Sequence, residues 1–210
     1  MEKIFNTLSL SIQKGDRAQV TSTIQEGLAA GISAQALISN GLIDGMNITG
    51  ERWSKGEFFI PQVLIAARAM NVGLALLEPL LTDEEISAAG TVVIGTVEGD
   101  LHDIGKNLVC MMLKGKGFKV IDLKTDVNAG KFIEAIMIHQ PQVVAMSALL
   151  STTMLNMKKI VSAIESAGLR KQVLIACGGA PVTELFCKEI GANIYDSDAV
   201  SFANRLINML

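Results

Sequence analysis

The stretch that decides the fold is TVVIGTV (residues 91–97), followed directly by EGDLHDIGKN (residues 98–107). The first segment is a short run rich in β-branched residues, which is typical of a buried strand. The second is a polar, glycine-containing loop that leads into an amphipathic pattern over residues 104–116. A strand, a loop and a helix in this order predict one repeating unit of a parallel α/β sheet.

The same alternation continues to the end of the chain. Further β-branched runs lie at 119–123, 142–147, 173–177 and 193–195, and helical patterns lie at 130–139, 152–167, 182–190 and 199–210. This alternation predicts a Rossmann-like (flavodoxin-type) five-stranded parallel sheet flanked by helices, with right-handed crossovers. Such sheets bind their ligands beyond the carboxyl ends of the strands.

The residues before this region follow a helical period instead. Apolar residues at helical spacing predict an N-terminal four-helix bundle over residues 1–82. Gly15 is placed to end the first helix, Asp16 and Ser33 to cap the next two, and Pro61 suits the first turn of the fourth. The polar segment 83–90 is the predicted linker, and residues 91–210 form the predicted second domain.

Composition restricts the class of partner. The net charge of the 210 residues is −3 and no cluster of Lys or Arg is present, which argues against nucleic acid or an anionic membrane surface as a partner. No uninterrupted apolar run approaches the roughly 18 residues that span a bilayer, and the chain opens on an amphipathic pattern. We therefore expect a cytoplasmic protein without a membrane partner. Cys110, Cys177 and Cys187 lack CxxC spacing and are expected to be buried reduced thiols.

His102 is the candidate metal ligand. A neutral imidazole nitrogen binds transition metals, and the other ring nitrogen then needs a carboxylate or carbonyl partner. Asp100 lies two residues earlier, and a hydroxyl from a neighbouring loop can complete a relay. The alternative is a loop histidine that caps a helix or faces water. No second His, Cys or carboxylate cluster completes an ordinary protein metal site, so the metal would have to bring its own equatorial ligands, as in a macrocycle.

Small and hydroxyl-bearing residues follow the other strands. The third predicted strand leads into SALLSTTM (residues 147–154) and the fourth into GGAP (residues 178–181). Glycines at 99, 105, 178 and 179 leave room beside the sheet for a long, flat-sided ligand, although glycine pairs also occur in phosphate-binding folds. The hydroxyls of Ser147, Ser151, Thr152 and Thr153 are alternatively ordinary helix N-caps.

Together, Asp100-x-His102-x-x-Gly105, Ser147-x-Leu149 and Gly178-Gly179 resemble the fingerprint of cobalamin-binding domains. The longer DLHDIGKNLV (residues 100–109) is similar to the cobalamin-binding module of cobalamin-dependent methionine synthase and to the corrinoid proteins of methyltransferase systems. The helical half matches the cap domain of that family. The resemblance implies that the nucleotide tail of the cofactor threads into the domain and that a histidine replaces its lower base on cobalt.

The resemblance also implies roles for single residues. His102 would be the lower axial ligand of cobalt and Asp100 its hydrogen-bond partner, while Thr153 stands where the methionine synthase pattern has serine and would close the relay. The residues implied to contact the cofactor are Gly99, Asp100, Leu101, His102, Asp103, Ile104 and Gly105 in the first loop, Ser147, Leu149, Ser151 and Thr153 along the tail slot, Gly178, Gly179 and Ala180 on its far wall, Tyr195 and Ala199 around the base of the tail, and Trp53 and Ile60 in the cap. The two cap residues are alternatively core of the bundle, and the role of Asn40, where relatives often have an acid, stays open.

The resemblance implies a corrinoid methyl carrier. Its partners would be a methyltransferase specific for the methyl donor, a second methyltransferase with tetrahydrofolate or coenzyme M as acceptor, and a corrinoid reductive activator. Among methanol, methylamines, glycine betaine and phenyl methyl ethers as donors, general similarity favours ether O-demethylation. The chain has no recognisable substrate site, so we expect a carrier subunit whose cap swings aside at the 83–90 linker when a partner docks.

Three other functions compete with this one. A cobalamin-dependent sensor would keep both domains but usually carries a DNA-binding or signalling module. A cobalamin-dependent mutase subunit would share the histidine loop but needs a substrate barrel. A flavodoxin-like or receiver domain would explain the alternation of strands and helices and leave the three loop motifs as coincidence.

Overall fold

The computed structural model describes residues 1–81 and 89–210. The chain divides into two compact units, one of Met1–Ala88 with Met111–Phe118 and the other of Ala89–Cys110 with Lys119–Leu210. The linker predicted at 83–90 falls largely on residues 82–88, which lie outside the described residues. The predicted domain boundaries therefore stay predictions.

The first unit is helical. Its elements are α1 (Glu2–Lys14), α2 (Arg17–Ala29), α3 (Ala34–Leu37), a π-helical turn (Ile38–Ile43), α4 (Asp44–Ser54), α5 (Ile60–Leu77) and a 3₁₀ turn (Glu78–Leu80). Because α3, the π-helical turn and α4 follow one another without a break, the unit contains the four predicted helical segments.

The predicted helix ends are present. The Asp16 carboxylate accepts a hydrogen bond from the backbone N–H of Gln19 at 3.0 Å, and the Ser33 hydroxyl accepts one from Ala36 at 3.2 Å. Gly15 ends α1 in the left-handed conformation with φ of 70°, and Pro61 lies in the first turn of α5. These local contacts satisfy backbone groups that a helix end leaves without partners.

The inner faces of these helices form an apolar core. Its fully or almost fully buried side chains include Leu8, Ile12, Val20, Ile24, Leu37, Leu42, Met46, Val63, Met70 and Leu77. Gly45 allows α1 and α4 to approach closely, since a Cβ at this position would lie 2.6 Å from the Ser9 carbonyl oxygen and 2.8 Å from the Ile12 Cβ.

One stretch in the described part of the chain, Ile60–Leu80, is long and apolar enough to cross a membrane by length and composition. The sequence predicts no uninterrupted apolar run of this length, and the polar residues Gln62, Arg68 and Asn71 lie within the stretch. One face of the helix is buried, with Val63 and Met70 almost inaccessible to solvent. A core helix of a bundle has the same length, composition and one-sided burial.

The second unit contains the sheet. The elements from here on in chain order are β1 (Thr91–Thr96), α6 (Ile104–Gly115), β2 (Lys119–Asp122), α7 (Ala129–His139), β3 (Val143–Ser147), α8 (Ser151–Ser166), β4 (Leu174–Gly178), α9 (Glu184–Glu189), β5 (Ile194–Tyr195) and α10 (Ala199–Met209). The end of α6, from Met111 onward, is counted with the first unit. The strand order is β2-β1-β3-β4-β5 and every pairing is parallel. The predicted fold class is confirmed, and each strand ends within one residue of its predicted bounds.

Among the helices of the sheet unit, the bounds differ most at α9, which begins at Glu184 and not at Val182. The reason is local: Thr183 caps this helix by accepting a hydrogen bond from the Phe186 N–H at 3.2 Å. Val182 therefore precedes the helix as a buried loop residue.

The strand order fixes where a ligand can lie. The connection after β1 runs to β2 on one side of the sheet, whereas the connection after β3 runs to β4 on the other side, so the strand order reverses between β1 and β3. Thr96 is opposite Ser147, and Ser147 is opposite Gly178, so β1, β3 and β4 end at the same level. This is the point of an open α/β sheet at which ligands bind.

Gly45→Ala tests the close approach of α1 and α4. The added methyl group meets a backbone carbonyl that cannot rotate away, so we expect a loss of about 1–3 kcal/mol of stability despite the better helix propensity of alanine. Urea unfolding followed by far-ultraviolet circular dichroism measures this. Gly130→Ala, at an exposed helical position with only Asn128 nearby at 3.4 Å, is the control and should not destabilise. Equal effects of the two substitutions would contradict the packing argument.

Candidate functional site

The site is built around Asp100, in the loop that follows β1. Its side chain is completely buried, with 0% of its surface exposed. The loop turns back immediately after the strand, because the Asp100 N–H donates to the Val97 carbonyl at 3.1 Å. A carboxylate withdrawn from water in this way needs hydrogen-bond donors around it.

Both carboxylate oxygens of Asp100 have such donors. Oδ1 accepts from the backbone N–H of His102 at 3.1 Å and lies 2.7 Å from His102 Nδ1. Oδ2 accepts from the Leu149 N–H at 2.8 Å, from the Leu150 N–H at 3.3 Å and from the Thr153 hydroxyl at 2.6 Å. One carboxylate therefore joins the loop after β1 to the loop after β3 and the first turn of α8.

These contacts decide the charge of Asp100. Burial alone would raise the pKa of its carboxyl group, but the hydrogen bonds from Thr153, Leu149 and His102 outweigh burial and hold the pKa well below its usual range. Asp100 is consequently an anion at neutral pH, and its Oδ1 can accept a hydrogen bond from the N–H at His102 Nδ1.

His102 is held at one side of its ring and at its backbone. The Thr96 hydroxyl donates to the His102 carbonyl at 3.0 Å, and Asp100 faces Nδ1, while 51% of the His102 side chain is exposed. No hydrogen bond to Nε2 comes from residues 1–81 or 89–210. Nε2 is thus the ring nitrogen that can bind a metal, and the carboxylate on the other nitrogen fixes its tautomer.

A metal bound here would need further ligands that the protein does not supply. Within the described ranges, no group of three or more His, Cys, Asp or Glu side chains is arranged to hold a metal ion. A metal that carries its own equatorial ligands fits this arrangement, since it needs a single axial nitrogen from the protein.

The glycines beside the sheet have two different effects: some leave open space, and one allows two loops to approach each other closely. Gly178 ends β4, and a Cβ added there would meet no atom within 4 Å; the same holds for Gly105 in the first turn of α6. Gly179 has φ of +126°, and a Cβ there would overlap the Ala148 carbonyl. Because the Ala148 N–H also donates to the Gly178 carbonyl at 3.2 Å, the loops after β3 and β4 contact each other closely.

The other residues of the sheet unit that the resemblance implies lie at the same end of the sheet, and of these Leu149 alone is hydrogen-bonded to Asp100, through its backbone N–H. Ser147 ends β3 and is half-buried, and Tyr195, also half-buried, ends β5 and packs against the core of the sheet. Ala199 is buried at the start of α10. The exposed members are Gly99, Leu101, Asp103, Ile104, Leu149, Ser151 and Ala180.

The two cap residues lie in the helical unit. Trp53 is half-buried near the end of α4, and Ile60 is exposed at the start of α5. Asn40 is exposed in the π-helical turn. Their predicted roles toward a cofactor stay predictions.

Sequence reasoning missed three charged residues next to the histidine loop. The Asp126 carboxylate accepts a hydrogen bond from the Gly99 N–H at 2.7 Å, and the buried Lys106 ammonium donates to Asp122 at 2.7 Å. Lys106 stands within the quoted motif, and Asp122 is an acid inside a predicted strand, which is the pattern that could have indicated a buried ion pair.

Models of one protein family match both parts of the chain. A family model described as a B12 binding domain matches residues 90–199, and a second model with the same description matches residues 4–78. Together they cover both the sheet unit and the helical unit.

Two relatives and one solved structure extend the comparison. Trimethylamine corrinoid protein 1 of Methanosarcina acetivorans is 41% identical over 207 residues, which cover 98% of this chain and 96% of the relative. The dimethylamine corrinoid protein of Methanosarcina barkeri is 40% identical over 164 residues, which cover 78% of this chain and 77% of the relative. The crystal structure of the methanol:cobalamin methyltransferase complex of Methanosarcina barkeri matches with a TM-score of 0.89 at 28% identity, over 99% of this chain and 81% of that one. By sequence and by structure, this chain belongs to the B12-binding family of corrinoid proteins.

Proposed function

We propose that this protein carries a methyl group on a corrinoid that His102 binds through Nε2, and that two partner methyltransferases load and remove the methyl group. The observation that carries the proposal is the buried Asp100 carboxylate, which lies 2.7 Å from His102 Nδ1 and leaves Nε2 as the metal-binding nitrogen. The corrinoid, when bound, supplies a cobalt ion that accepts a methyl group and later releases it.

The residues present fit such a cofactor. A half-exposed imidazole with one engaged nitrogen suits a single axial position, and the space beside Gly178 and Gly105 suits a ligand that lies along the backbone. We propose the loop that begins at Ser147 and the Gly178–Gly179 pair as the two walls of the slot for the nucleotide tail. Tyr195 and Ala199 would enclose the base at its end.

Asp100 and Thr153 would control the histidine. Binding of a metal requires an unprotonated Nε2, so the proton of the neutral ring must lie on Nδ1 and be donated to Asp100 Oδ1. The Asp100 anion would keep the imidazole oriented for metal binding and would make Nε2 a better electron-pair donor. Thr153, 2.6 Å from Oδ2, would hold the carboxylate in place.

The partners are proposed from the relatives. The names of the trimethylamine and dimethylamine corrinoid proteins favour a methylamine as the methyl donor. Ether O-demethylation, which general similarity favoured, stays a prediction that no described residue supports. The acceptor, tetrahydrofolate or coenzyme M, and the reductive activator are likewise proposed from family resemblance.

The cap belongs to the same proposal. Trp53 and Ile60 would cover the methyl-bearing face of the cofactor at rest, and the segment 83–90 would act as the hinge when a partner docks. The proposal includes a cytoplasmic location without membrane or nucleic-acid partners, because the charge and composition of the chain favour it.

His102→Ala tests the axial position. The purified apoprotein is loaded with hydroxocobalamin, and cobalt content, affinity and visible spectrum are measured. We expect about one cobalt per chain for the unsubstituted protein, and for the variant a changed spectrum with affinity lowered on the order of 10- to 100-fold. His139→Ala, the exposed second histidine at the end of α7, is the control and should match the unsubstituted protein. An unchanged spectrum in His102→Ala would end the proposal.

Gly178→Val tests the tail slot. The new side chain enters space that holds no protein atom within 4 Å of the added Cβ, so the apoprotein should fold with unchanged circular dichroism. The corrinoid tail would meet this side chain, and we expect a loss of corrinoid affinity of at least tenfold, measured by titration with hydroxocobalamin. Gly130→Val, in the exposed first turn of α7, should bind normally. Normal binding by Gly178→Val would place the tail elsewhere.

Asp100→Asn tests the charge at the site through the pH dependence of stability. Because the pKa of Asp100 is lower in the folded protein than in the unfolded chain, its contribution to stability is fully present above pH of about 4 and is lost as the pH falls further. Urea unfolding of the apoprotein between pH 3 and pH 7 should therefore show a shallower acid destabilisation in the variant. Parallel pH profiles for the two proteins would contradict an ionised, hydrogen-bonded Asp100.

A further inference from the structure

We propose that Lys106 and Asp126 are positioning residues for His102, which fasten the two ends of its loop to the turn after β2. The loop is residues 97–105, called the ligand loop, and the turn is residues 122–126, called the β2 turn. This inference rests on the proposed function, in which His102 binds cobalt. Neither Lys106 nor Asp126 touches the imidazole, so each would act through the backbone of the loop.

Asp126 holds the beginning of the ligand loop. Its carboxylate accepts from the Gly99 N–H at 2.7 Å, and its own N–H donates to the Asp100 carbonyl at 3.1 Å. Asp126 has φ of 55° and Lys124 has φ of 71°, both in the left-handed region that non-glycine residues rarely adopt. Such conformations persist where surrounding contacts fix them, and the paired hydrogen bonds to Gly99 and Asp100 are contacts of this kind.

Lys106 holds the end of the ligand loop. Only 1% of its side chain is exposed, and its ammonium donates to Asp122 Oδ1 and to Asn107 Oδ1, each at 2.7 Å. The Asn107 amide in turn donates to the Asp103 carboxylate at 3.0 Å. A chain of hydrogen bonds thus runs from the residue after His102, through the first turn of α6, to the last residue of β2.

The charge of Asp122 supports this connection. Burial would raise the pKa of its carboxyl group, but hydrogen bonds from the Lys106 side chain and from the backbone and side chain of Lys124 lower it, so Asp122 is ionised. A buried ammonium is stable only while such a partner remains beside it. Movement of the first turn of α6 away from β2 would separate the two charges and is therefore unfavourable.

The geometry of His102 depends on these anchors because hydrogen bonds fix its ring at one nitrogen alone within the described residues. Its only side-chain hydrogen bond within the described chain is to Asp100, and half of the side chain is exposed. A metal ligand has to be held close to its productive position by the residues behind it. With one end of the ligand loop released, Nε2 would sample positions from which it cannot reach the metal.

Lys124 provides a matched control. Its ammonium pairs with the other oxygen of the same carboxylate, Asp122 Oδ2, at 3.0 Å, but 79% of its side chain is exposed. An exposed pair of this kind contributes little to stability. Lys124→Met and Lys106→Met therefore remove the same kind of partner from the same carboxylate, but the Lys124 side chain is exposed and the Lys106 side chain is buried.

The experiment compares Lys106→Met, Asp126→Gly, Lys124→Met and His102→Ala in the full chain. Asp126→Gly removes the carboxylate without adding strain, since glycine adopts positive φ readily. Hydrogen exchange of the ligand loop, followed by mass spectrometry, is measured in each apoprotein. Affinity for hydroxocobalamin and the visible spectrum of the bound cofactor are measured separately.

We expect Lys106→Met and Asp126→Gly to speed exchange across the ligand loop at least threefold. They should lower corrinoid affinity on the order of tenfold and shift the spectrum toward that of His102→Ala. Lys124→Met should match the unsubstituted protein in all three measurements. Affinity within twofold of the unsubstituted protein and an unshifted spectrum in both loop variants would overturn the inference.

Two further outcomes are also decisive. If Lys106→Met does not fold, Asp126→Gly alone decides, because Asp126 is exposed and its loss removes no buried charge. If His102→Ala leaves the spectrum unchanged, the proposed function fails. The hydrogen exchange of the apoproteins then still shows whether the β2 turn fixes the ligand loop.

Discussion

The structure of the site depends on one buried anion. Asp100 has no contact with solvent, and its negative charge is stable because backbone and side-chain donors from two loops point at it. Hydrogen bonds to a charged acceptor are the stronger ones and are costly to leave unmade, so the loops after β1 and β3 are fixed to each other through this carboxylate. The imidazole of His102 is oriented as a consequence, since it shares the oxygen that the loop backbone also binds.

The sequence was sufficient to predict a structural feature wherever the contacts that form it lie between residues close together along the chain. The Asp16 and Ser33 caps bond to residues three positions later, and the strands of the parallel sheet are marked by their own β-branched composition. Asp100 and His102 are two residues apart, so their hydrogen bond was also within reach of the sequence. Thr153 was found through resemblance to a known family, because no local pattern links it to Asp100.

The sequence was insufficient to predict polar contacts between residues that are far apart along the chain. Lys106 and Asp122 are separated by 16 residues, and Gly99 and Asp126 by 27. Lysine and aspartate are mostly exposed in proteins, so a sequence offers no reason to bury either one. The π-helical turn at Ile38–Ile43 and the late start of α9 arise from packing and capping that the apolar period does not encode. The roles of Trp53 and Ile60 depend on the arrangement of two separate units.

The separation of the donors along the chain has a consequence for biogenesis. The Leu149 amide and the Thr153 hydroxyl follow Asp100 by 49 and 53 residues, and they reach it only after β3 has been inserted beside β1. A nascent chain that has left the ribosome only as far as β2 carries the histidine and the aspartate but not these donors. The hydrogen bonds around the Asp100 carboxylate are therefore completed late, after translation of the first turn of α8.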